Sequence, residues 1–336
     1  MHHADPFSTL GFVVYPNARQ EPMIPRQDVG SGTREPIFTN WNHEHSLLWG
    51  NQPLMLEHRL HNHELFSLDV LGELIDRYPE NGYELVHMGA QGERKLWRTG
   101  SKGSATGRQI INAIRDGRLW INLLHVNEVD RRYADLLDSI FEEVAERVPG
   151  YRTFSRINGI LISSPRAQVY YHFDPSGQSL WQIHGRKRVY LYPPVPPFLT
   201  EEHLEHVALY RDEVNVKYEP WFDNYAKSYE LVPGKMMHWP LNSPHRVENL
   251  DELSVSMTTE YFTDDIRRRQ IINTANGLLR RAGIKPERTL VGASFYAKAA
   301  FQAGIRRAGL LKTAQEKRRE RSFSLDGMTG GIQDLA

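Results

Sequence analysis

The segment from Tyr170 to Pro194, YYHFDPSGQSLWQIHGRKRVYLYPP, places a histidine and an aspartate two residues apart. Residues two apart in a β-strand point to the same face, so His172 and Asp174 project side by side, with Tyr170 on the same side. Pro175 and the residues after it end the strand just beyond them. An imidazole nitrogen and a carboxylate oxygen that converge at a strand end are part of the ligand set of a facial metal triad.

Two histidines and one carboxylate leave coordination positions open, an arrangement that suits non-haem iron(II) and the activation of dioxygen. The remaining ligand has to come from another part of the chain. The downstream segment MMHWPLNSPHRVENL offers His238 and His245, both in a region with the pattern of β-structure. Strand parity does not decide between them, because His238 shares a face with Met236 and His245 shares a face with Val247.

A lysine, Lys187, stands at the head of the apolar strand KRVYLYPP. By strand parity it shares a face with Val189 and Leu191, whereas Arg186 and Arg188 fall on the other face. Because a buried ammonium group is costly unless an anion meets it, the pattern predicts a bound anion, and a dicarboxylate cosubstrate would supply one. The alternative is that Lys187 extends to the rim of the barrel or pairs with a carboxylate of the protein.

Other charged clusters offer competing functions. The motifs HEH at residues 43–45 and HNH at 61–63 have the composition of metal ligands, but we interpret them as polar loop histidines. The basic run Lys317–Arg321 has the composition of a nucleic-acid contact. Glu316 precedes that run, Glu320 interrupts it and the formal net charge is zero, so we expect a solvated helix end and no nucleic-acid partner.

Length and composition limit the class of protein. The 336 residues suffice for one large domain or two modest ones with a substantial core. The chain has no cysteine, which excludes disulfides, thiolate metal sites and cysteine nucleophiles. The first residues, MHHADPFSTLGFVVYP, do not have the pattern of a signal peptide, and no apolar run approaches the length of a membrane span. We therefore expect a cytoplasmic protein without a membrane partner.

The hydrophobic period changes along the chain. Residues 1–118 are predicted to form an irregular and helical cover, in which the segment 1–64 shows little periodicity. Residues 119–262 contain many short apolar strands separated by Pro, Gly, Asn and Ser, the pattern of a sandwich or small barrel. The long polar interval 196–227 interrupts these strands, and we expect it to line the mouth of the barrel together with the segment 1–64.

A helical period returns after the strands. Thr263 has the pattern of an N-cap, two aspartates follow it, and Gly283 ends the first of these helices. Residues 263–324 are therefore predicted to be a C-terminal helical region, and residues 325–336 a disordered tail.

The segments HFDPSGQSLWQIHGRKRVYLYPP, LVPGKMMHWPLNSPHRVEN and LSVSMTTEYF resemble the JmjC/cupin-like family of iron(II)- and 2-oxoglutarate-dependent oxygenases. They are most similar to its small hydroxylase branch, which includes the asparaginyl hydroxylase of the hypoxia response. The resemblance covers about residues 119–262 and depends on H-x-D, G-x-K-R and P-G…P…H-x-V-E-N. It implies a mostly β fold with flanking helices, built on a double-stranded β-helix (cupin or jelly-roll) core.

The resemblance also implies the metal ligands. His172 and Asp174 match the first two, and His245 matches the third, because the family places that ligand directly before the V-E-N strand. On this assignment His238 belongs to the pocket wall or supports the ligands.

Further residues are implied to bind the cosubstrate. Lys187 matches the lysine that pairs with its distal carboxylate. Gln178 stands where relatives have an asparagine, and Thr258 stands where relatives often have an asparagine near the cosubstrate. Tyr170 joins this set on strand parity alone.

The family chemistry uses iron(II), 2-oxoglutarate and O2, and usually hydroxylates its substrate, with demethylation following when an N-methyl carbon is hydroxylated. The resemblance therefore predicts a dioxygenase that hydroxylates a peptide, an amino acid or a small polar metabolite. The competing classes are a non-catalytic cupin-like binding or regulatory protein and a cupin that uses a different metal. Relatives often dimerise through C-terminal helices, so we expect a homodimer.

Overall fold

The computed structural model describes residues 35–88, 97–210, 216–309, 321–327 and 331–335. Its helices are α1 (His43–Leu48), α2 (Leu68–Arg77), α3 (Gly107–Asp116), α4 (Val126–Val129), α5 (Arg131–Arg147), α6 (Glu201–Tyr210), α7 (Asp264–Arg281) and α8 (Gly292–Arg307). Its strands are β1 (Leu54–Glu57), β2 (Tyr83–His87), β3 (Arg98–Ser101), β4 (Leu119–Leu123), β5 (Phe154–Ser163), β6 (Gln168–His172), β7 (Gly177–His184), β8 (Lys187–Leu191), β9 (Lys227–Leu231), β10 (Lys235–His238), β11 (His245–Asn249), β12 (Ser254–Phe262), β13 (Arg321–Leu325) and β14 (Ile332–Asp334). Short 3₁₀ helices lie at Leu60–Asn62, Glu64–Phe66 and Pro220–Tyr225.

The described strands form two sheets. The larger sheet has the order β1-β10-β7-β12-β5-β4-β2-β3-β13-β14, and the smaller has the order β6-β11-β8-β9. Between β5 and β12 the chain winds from one sheet to the other, and the pairs in this part are antiparallel. This winding is a double-stranded β-helix. It confirms the predicted mostly β fold with flanking helices and a cupin or jelly-roll core.

Alternation along the strands decides which side chains lie between the sheets. In β8, Lys187, Val189 and Leu191 are buried while the residues between them are partly exposed, as strand parity predicts. An apolar cluster joins this face to Leu180 and Met237 of the larger sheet. The space between the sheets is therefore closed by aliphatic contacts, which exclude water from its interior.

The N-terminal cover packs on the outer face of the larger sheet. Its helix α2 begins after Ser67, whose hydroxyl accepts a hydrogen bond from the backbone N–H of Val70 and so caps the helix. The cover is tied to α5 through Glu143, whose carboxylate accepts from the backbone N–H of Ile37 at 2.7 Å and of Phe38 at 3.3 Å. These hydrogen bonds fix the N-terminal cover to α5, beside the outer face of the larger sheet.

The interval 196–227 does not lie at the mouth of the barrel, where the sequence analysis expected it. Its described part packs on the outer face of the smaller sheet, where Phe198 and Phe222 contact Tyr171 and Tyr192. Asp223 accepts a hydrogen bond from the Tyr192 hydroxyl at 2.5 Å, which anchors the interval further. This interval was expected at the mouth of the barrel. It covers the smaller sheet instead, because the outward-facing side chains of Tyr171 and Tyr192 form an apolar surface that is stabilised by burial.

The C-terminal region is only partly helical. Helix α7 begins after Thr263, whose hydroxyl accepts from the backbone N–H of Ile266, as the sequence predicts. The chain then returns to the larger sheet: β13 pairs in parallel with β3, and β14 pairs with β13. The predicted helix to residue 324 and disordered tail from 325 are therefore wrong at these strands, where Phe323 and Leu325 are buried.

Two expectations from the sequence stay predictions. Residues 317–320 of the basic run lie outside the described residues, while Arg321 binds the carboxylate of Glu80. The homodimer is not tested by a single chain. Among the described residues, no helix is long and apolar enough to cross a membrane.

We expect Gly107→Ala to destabilise the fold. A Cβ atom at Gly107 in α3 would overlap the backbone carbonyl of Gly72 in α2, and a backbone cannot move aside cheaply. Overpacking of this kind costs roughly 1–3 kcal/mol. The matched control is Gly304→Ala in α8, where a Cβ would meet no heavy atom within 4 Å. That change should leave the free energy of unfolding unchanged or raise it by roughly 0.5–1 kcal/mol, as chemical denaturation would show.

Candidate metal centre

The structure brings together His172, Asp174 and His245. The two histidines are direct partners on the adjacent strands β6 and β11, with ring centroids 4.1 Å apart. Asp174 follows the end of β6, with one carboxylate oxygen 3.9 Å from Nε2 of His172 and the other 3.5 Å from Nε2 of His245. In the described part of the chain, these residues offer ligand atoms that all lie within 4.8 Å of one another.

Hydrogen bonds orient both imidazole rings. Nδ1 of His172 lies 2.7 Å from the carbonyl oxygen of Tyr170, and Nδ1 of His245 lies 3.0 Å from the carbonyl oxygen of Ser243. A carbonyl oxygen only accepts, so Nδ1 carries the proton in each ring. Nε2 of each ring is directed toward Asp174, as in histidine ligands whose other nitrogen is fixed by a backbone carbonyl.

Burial sets the electrostatics of this group. Desolvation raises the pKa of Asp174, although His172 and the indole of Trp239 oppose this. Desolvation also lowers the pKa of His245 well below its ordinary value, so that ring is neutral. Two imidazole rings and one carboxylate form a donor set suited to a divalent metal ion, whose charge would keep the carboxylate ionised. The residues present therefore fit such an ion.

Gln178 contacts the acidic ligand. With its amide nitrogen toward Asp174, it donates hydrogen bonds of 2.7 and 2.5 Å to the two carboxylate oxygens. In this geometry Gln178 supports Asp174, and its assignment to the cosubstrate stays a prediction. Hydrogen bonds of this kind commonly fix the orientation of ligating carboxylates.

A second carboxylate, Glu260, was missed by the sequence reasoning. It pairs in register with Gln178 across β12 and β7, and its carboxylate accepts a hydrogen bond of 2.9 Å from the hydroxyl of Ser176. Burial, together with the charge of Asp174, raises its pKa to about 7. Strand parity in LSVSMTTEYF puts Glu260 on the face of Thr258, which was the available signal.

Lys187 lies inside the barrel, as predicted. It is 1% exposed, and its partners in register are Asn249 and Leu231. In contrast, Arg186 and Arg188 face away and lie within ion-pair distance of Glu230. No carboxylate among the described residues forms an ion pair with Lys187, and burial lowers its pKa to about 7. The side chain is thus a buried cation that lacks an anion.

Thr258 and Tyr170 have different surroundings. Thr258 pairs with Leu180, so it faces the inter-sheet space, and it is half-buried there. Tyr170 packs on Trp97 with ring centroids 5.0 Å apart. The register of β6 and β11 shifts between His172 and Val169, and the assignment of Tyr170 to the cosubstrate stays a prediction.

The remaining histidines lie elsewhere. His238 stands on the outer side of β10, where its ring stacks on Trp49 at 4.0 Å between centroids. The HEH motif lies in helix α1, and HNH spans a 3₁₀ helix and the residue after it. Rings of His61 and His63 bond to backbone groups close in sequence, which supports their interpretation as polar histidines without a metal.

No protein-family model and no curated protein matches the sequence. Among solved structures, the chain is similar to E. coli ycfD, with 15% identity, 87% of this chain and 76% of that chain covered, and a TM-score of 0.45. It is also similar to YcfD, a ribosomal oxygenase from Escherichia coli, in complex with cobalt and 2-oxoglutarate, with 13% identity, coverage of 83% and 71%, and a TM-score of 0.41. A structure of oxalate decarboxylase covers 31% of this chain and 21% of that chain, with 16% identity and a TM-score of 0.22.

Lys187 should make stability depend on pH. The folded protein releases this proton near pH 7 while the unfolded chain keeps it to about 10.5, so the unfolded state binds more protons between these values. Stability should therefore rise with pH across that window, by at most about 1.4 kcal/mol per pH unit. The isosteric Lys187→Met lacks this titration. It should be the more stable protein at pH 7, and its advantage should shrink toward pH 10 in urea unfolding.

An advantage for Lys187→Met that stays constant from pH 7 to 10 would contradict the buried, unpaired ammonium group. Arg188→Met is the matched control, because Arg188 is partly exposed on the other face of the same strand. Its effect on the free energy of unfolding should not change across the window.

Proposed function

We propose that this protein is an iron(II)- and 2-oxoglutarate-dependent oxygenase of the JmjC/cupin-like type, a hydroxylase whose catalytic unit is residues 119–262. The supporting observation is that the inner face of the smaller sheet carries both a His-Asp-His group and a buried lysine that forms no ion pair with any described residue. The metal group alone suits several cupin chemistries. The lysine adds a site for a carboxylate inside the barrel, which the oxygenase reaction requires.

His172, Asp174 and His245 would hold the metal ion. When bound there, iron(II) supplies the activation of dioxygen, and 2-oxoglutarate supplies two electrons as it is converted to succinate and carbon dioxide. The chain's part is to hold three ligands on one side and leave the other side open. The backbone carbonyls fix both imidazole rings, and Gln178 fixes the carboxylate, so the ligand set is oriented before a metal ion arrives.

The register of the smaller sheet indicates the size of the cosubstrate. On β11, His245 pairs with Leu191 of β8, and Asn249 pairs with Lys187. Four residues along a strand span about 13 Å, and an extended lysine side chain covers part of that distance. A short chain with a carboxylate at each end would span the remainder. One end would reach the metal ligands and the other would meet Lys187, the arrangement expected for 2-oxoglutarate.

The interior of the barrel would protect this reaction from water. Val189 and Leu191 follow Lys187 on the inner face of β8, and both are buried together with Leu180 of the larger sheet. In such an apolar space the attraction between an ammonium group and a carboxylate is much stronger than in water. The class of substrate we propose is a peptide, an amino acid or a small polar metabolite.

Turnover tests the proposal directly. Purified protein with iron(II), 2-oxoglutarate and oxygen should form succinate, slowly without substrate and faster with one, as measured by mass spectrometry. Replacement of iron(II) by zinc should stop the reaction because zinc has no redox chemistry. Asp174→Ala should give the same zero rate. Succinate that never exceeds the iron-free control across a panel of peptides, amino acids and metabolites would favour a non-catalytic binding protein.

The assignment of the third ligand predicts different effects for two histidines. His245→Ala should lose binding of cobalt(II), used as a spectroscopic substitute for iron(II), because His245 lies with His172 and Asp174. His238→Ala should keep it, because His238 lies on the other face of the larger sheet. Cobalt absorption and calorimetry would measure both. Loss of cobalt binding in His238→Ala with retention in His245→Ala would reverse the assignment.

Lys187 should control the affinity for 2-oxoglutarate. Lys187→Ala removes the buried cation and should weaken binding by 10-fold or more, since charged hydrogen bonds are worth about 1.5–3 kcal/mol. Cobalt binding should stay near normal. Arg188→Ala is the control, because Arg188 points away from the interior. Equal cosubstrate affinity in Lys187→Ala and the unmodified protein, by titration calorimetry, would remove Lys187 from the site.

A further inference from the structure

Glu260 is a carboxylate of the barrel interior that the proposed reaction does not use. The next residue of β12, Tyr261, turns outward and packs on Phe141 of α5, so strand alternation turns Glu260 inward. The hydroxyl of Ser176 donates a hydrogen bond of 2.9 Å to one of its carboxylate oxygens. The side chain is partly exposed. The carboxylate is therefore held in place on the inner face of the larger sheet while part of the side chain stays accessible.

No cation of the described residues neutralises this carboxylate. The one charged group among them that acts on Glu260 is Asp174, which is also negative. Glu260 is not a metal ligand either, because the ligand atoms that lie within 4.8 Å of one another belong to His172, Asp174 and His245. The two positive charges of iron(II) would be balanced by Asp174 and by the metal-binding carboxylate of 2-oxoglutarate. Since an enclosed carboxylate is costly unless a cation meets it, Glu260 indicates a positively charged ligand.

The position of Glu260 along the barrel separates it from Lys187. Asn249, the partner of Lys187 in register, donates a hydrogen bond to the hydroxyl of Ser163. Ser163 in turn pairs with Ser254 at the start of β12, so Ser254 marks the lysine end of that strand. Glu260 stands six residues further along β12, which corresponds to about 20 Å. Glu260 and Lys187 therefore occupy opposite ends of the space between the sheets.

The metal group lies between these two ends. On β11, His245 is four residues, or about 13 Å, from the partner of Lys187. Glu260 lies beyond that level and pairs in register with Gln178, whose amide holds Asp174. Because the cosubstrate would occupy the space between the metal group and Lys187, the substrate has to approach from the side on which Glu260 stands.

We propose that Glu260 binds a positively charged group of the substrate, an amine or a guanidinium, beside the metal group. This inference rests on the proposed function and narrows its substrate class to cationic molecules. One carboxylate oxygen accepts from Ser176, which leaves the other oxygen to an N–H donor of the substrate. In the low dielectric of the barrel the attraction between this carboxylate and a cation is much stronger than in water. A neutral substrate would leave the carboxylate unpaired.

Binding to the cobalt(II)-loaded protein in the presence of 2-oxoglutarate tests the proposal without turnover. The probes are Nα-acetyl-argininamide and Nα-acetyl-lysinamide, each compared with a neutral analogue of similar shape, the citrulline and norleucine derivatives. At pH 8 the Glu260 carboxylate is ionised, because its pKa is about 7. At least one cationic probe should then bind 10-fold or more tightly than its neutral analogue. Relaxation of the probe protons by paramagnetic cobalt, followed by NMR, measures the affinity and shows that the probe lies near the metal.

A pair of variants assigns this preference to Glu260. Glu260→Gln keeps the size of the side chain and removes its charge, so the preference should fall to 2-fold or less. Glu230→Gln is the matched control and should retain the preference, because Glu230 lies on the outer face of the smaller sheet beside Arg186 and Arg188. Equal affinities of both probe pairs for the unmodified protein, or a preference that survives in Glu260→Gln, would overturn the proposal. A failure of the proposed function would appear separately, as the absence of succinate from the unmodified protein loaded with iron(II).

Discussion

The pairing of β6 with β11 is the constraint on which the candidate metal centre depends. It places His172 directly opposite His245, although the two lie far apart in the sequence, and a shift of one residue would turn one imidazole to the outer face. The register is fixed on the far side as well, because β11 pairs with β8 and thereby sets His245 against Leu191. The double-stranded β-helix brings these strands together because each turn of the chain adds one strand to each sheet.

Burial makes the charged forms of two ionisable groups in the barrel, Asp174 and Lys187, energetically unfavourable. Asp174 and Lys187 both face the space between the sheets. Among the described residues, Asp174 has only His172 and His245 within ion-pair distance. Lys187 has no carboxylate within that distance among the same residues. Desolvation disfavours the charged form of both, and it raises the pKa of the acid and lowers the pKa of the base. A fold would not retain both costs for its own stability, since apolar residues would pack there more favourably. A metal ion would offset the cost of burying the Asp174 carboxylate, and the carboxylate of a ligand would offset the cost of burying the Lys187 ammonium group.

Sequence pattern was informative where a feature is local and less so where it depends on distant contacts. Parity in KRVYLYPP correctly put Lys187 inside, because alternation is a property of the strand itself. At Tyr170 the same rule stays untested, because β6 shifts in register against β11 between His172 and Val169, and that shift is a property of the pairing of two strands. The return of β13 to the larger sheet was not predictable either, since the segment RSFSL is short and its partner β3 belongs to the N-terminal part of the chain. The expectation of His245 as the third ligand needed the family pattern, because parity allowed His238 and His245 equally; the structure places His245, and not His238, beside His172 and Asp174.

The two faces of β7 connect the candidate centre to the cover. On the inner face the side chain of Gln178 holds Asp174, and at the same residue the backbone carbonyl oxygen accepts from His238 on the outer side. His238 in turn stacks on Trp49 of the cover. A movement of the cover would therefore shift His238, and through it the strand that positions Gln178. This chain of contacts joins the cover to Gln178, the residue that supports Asp174.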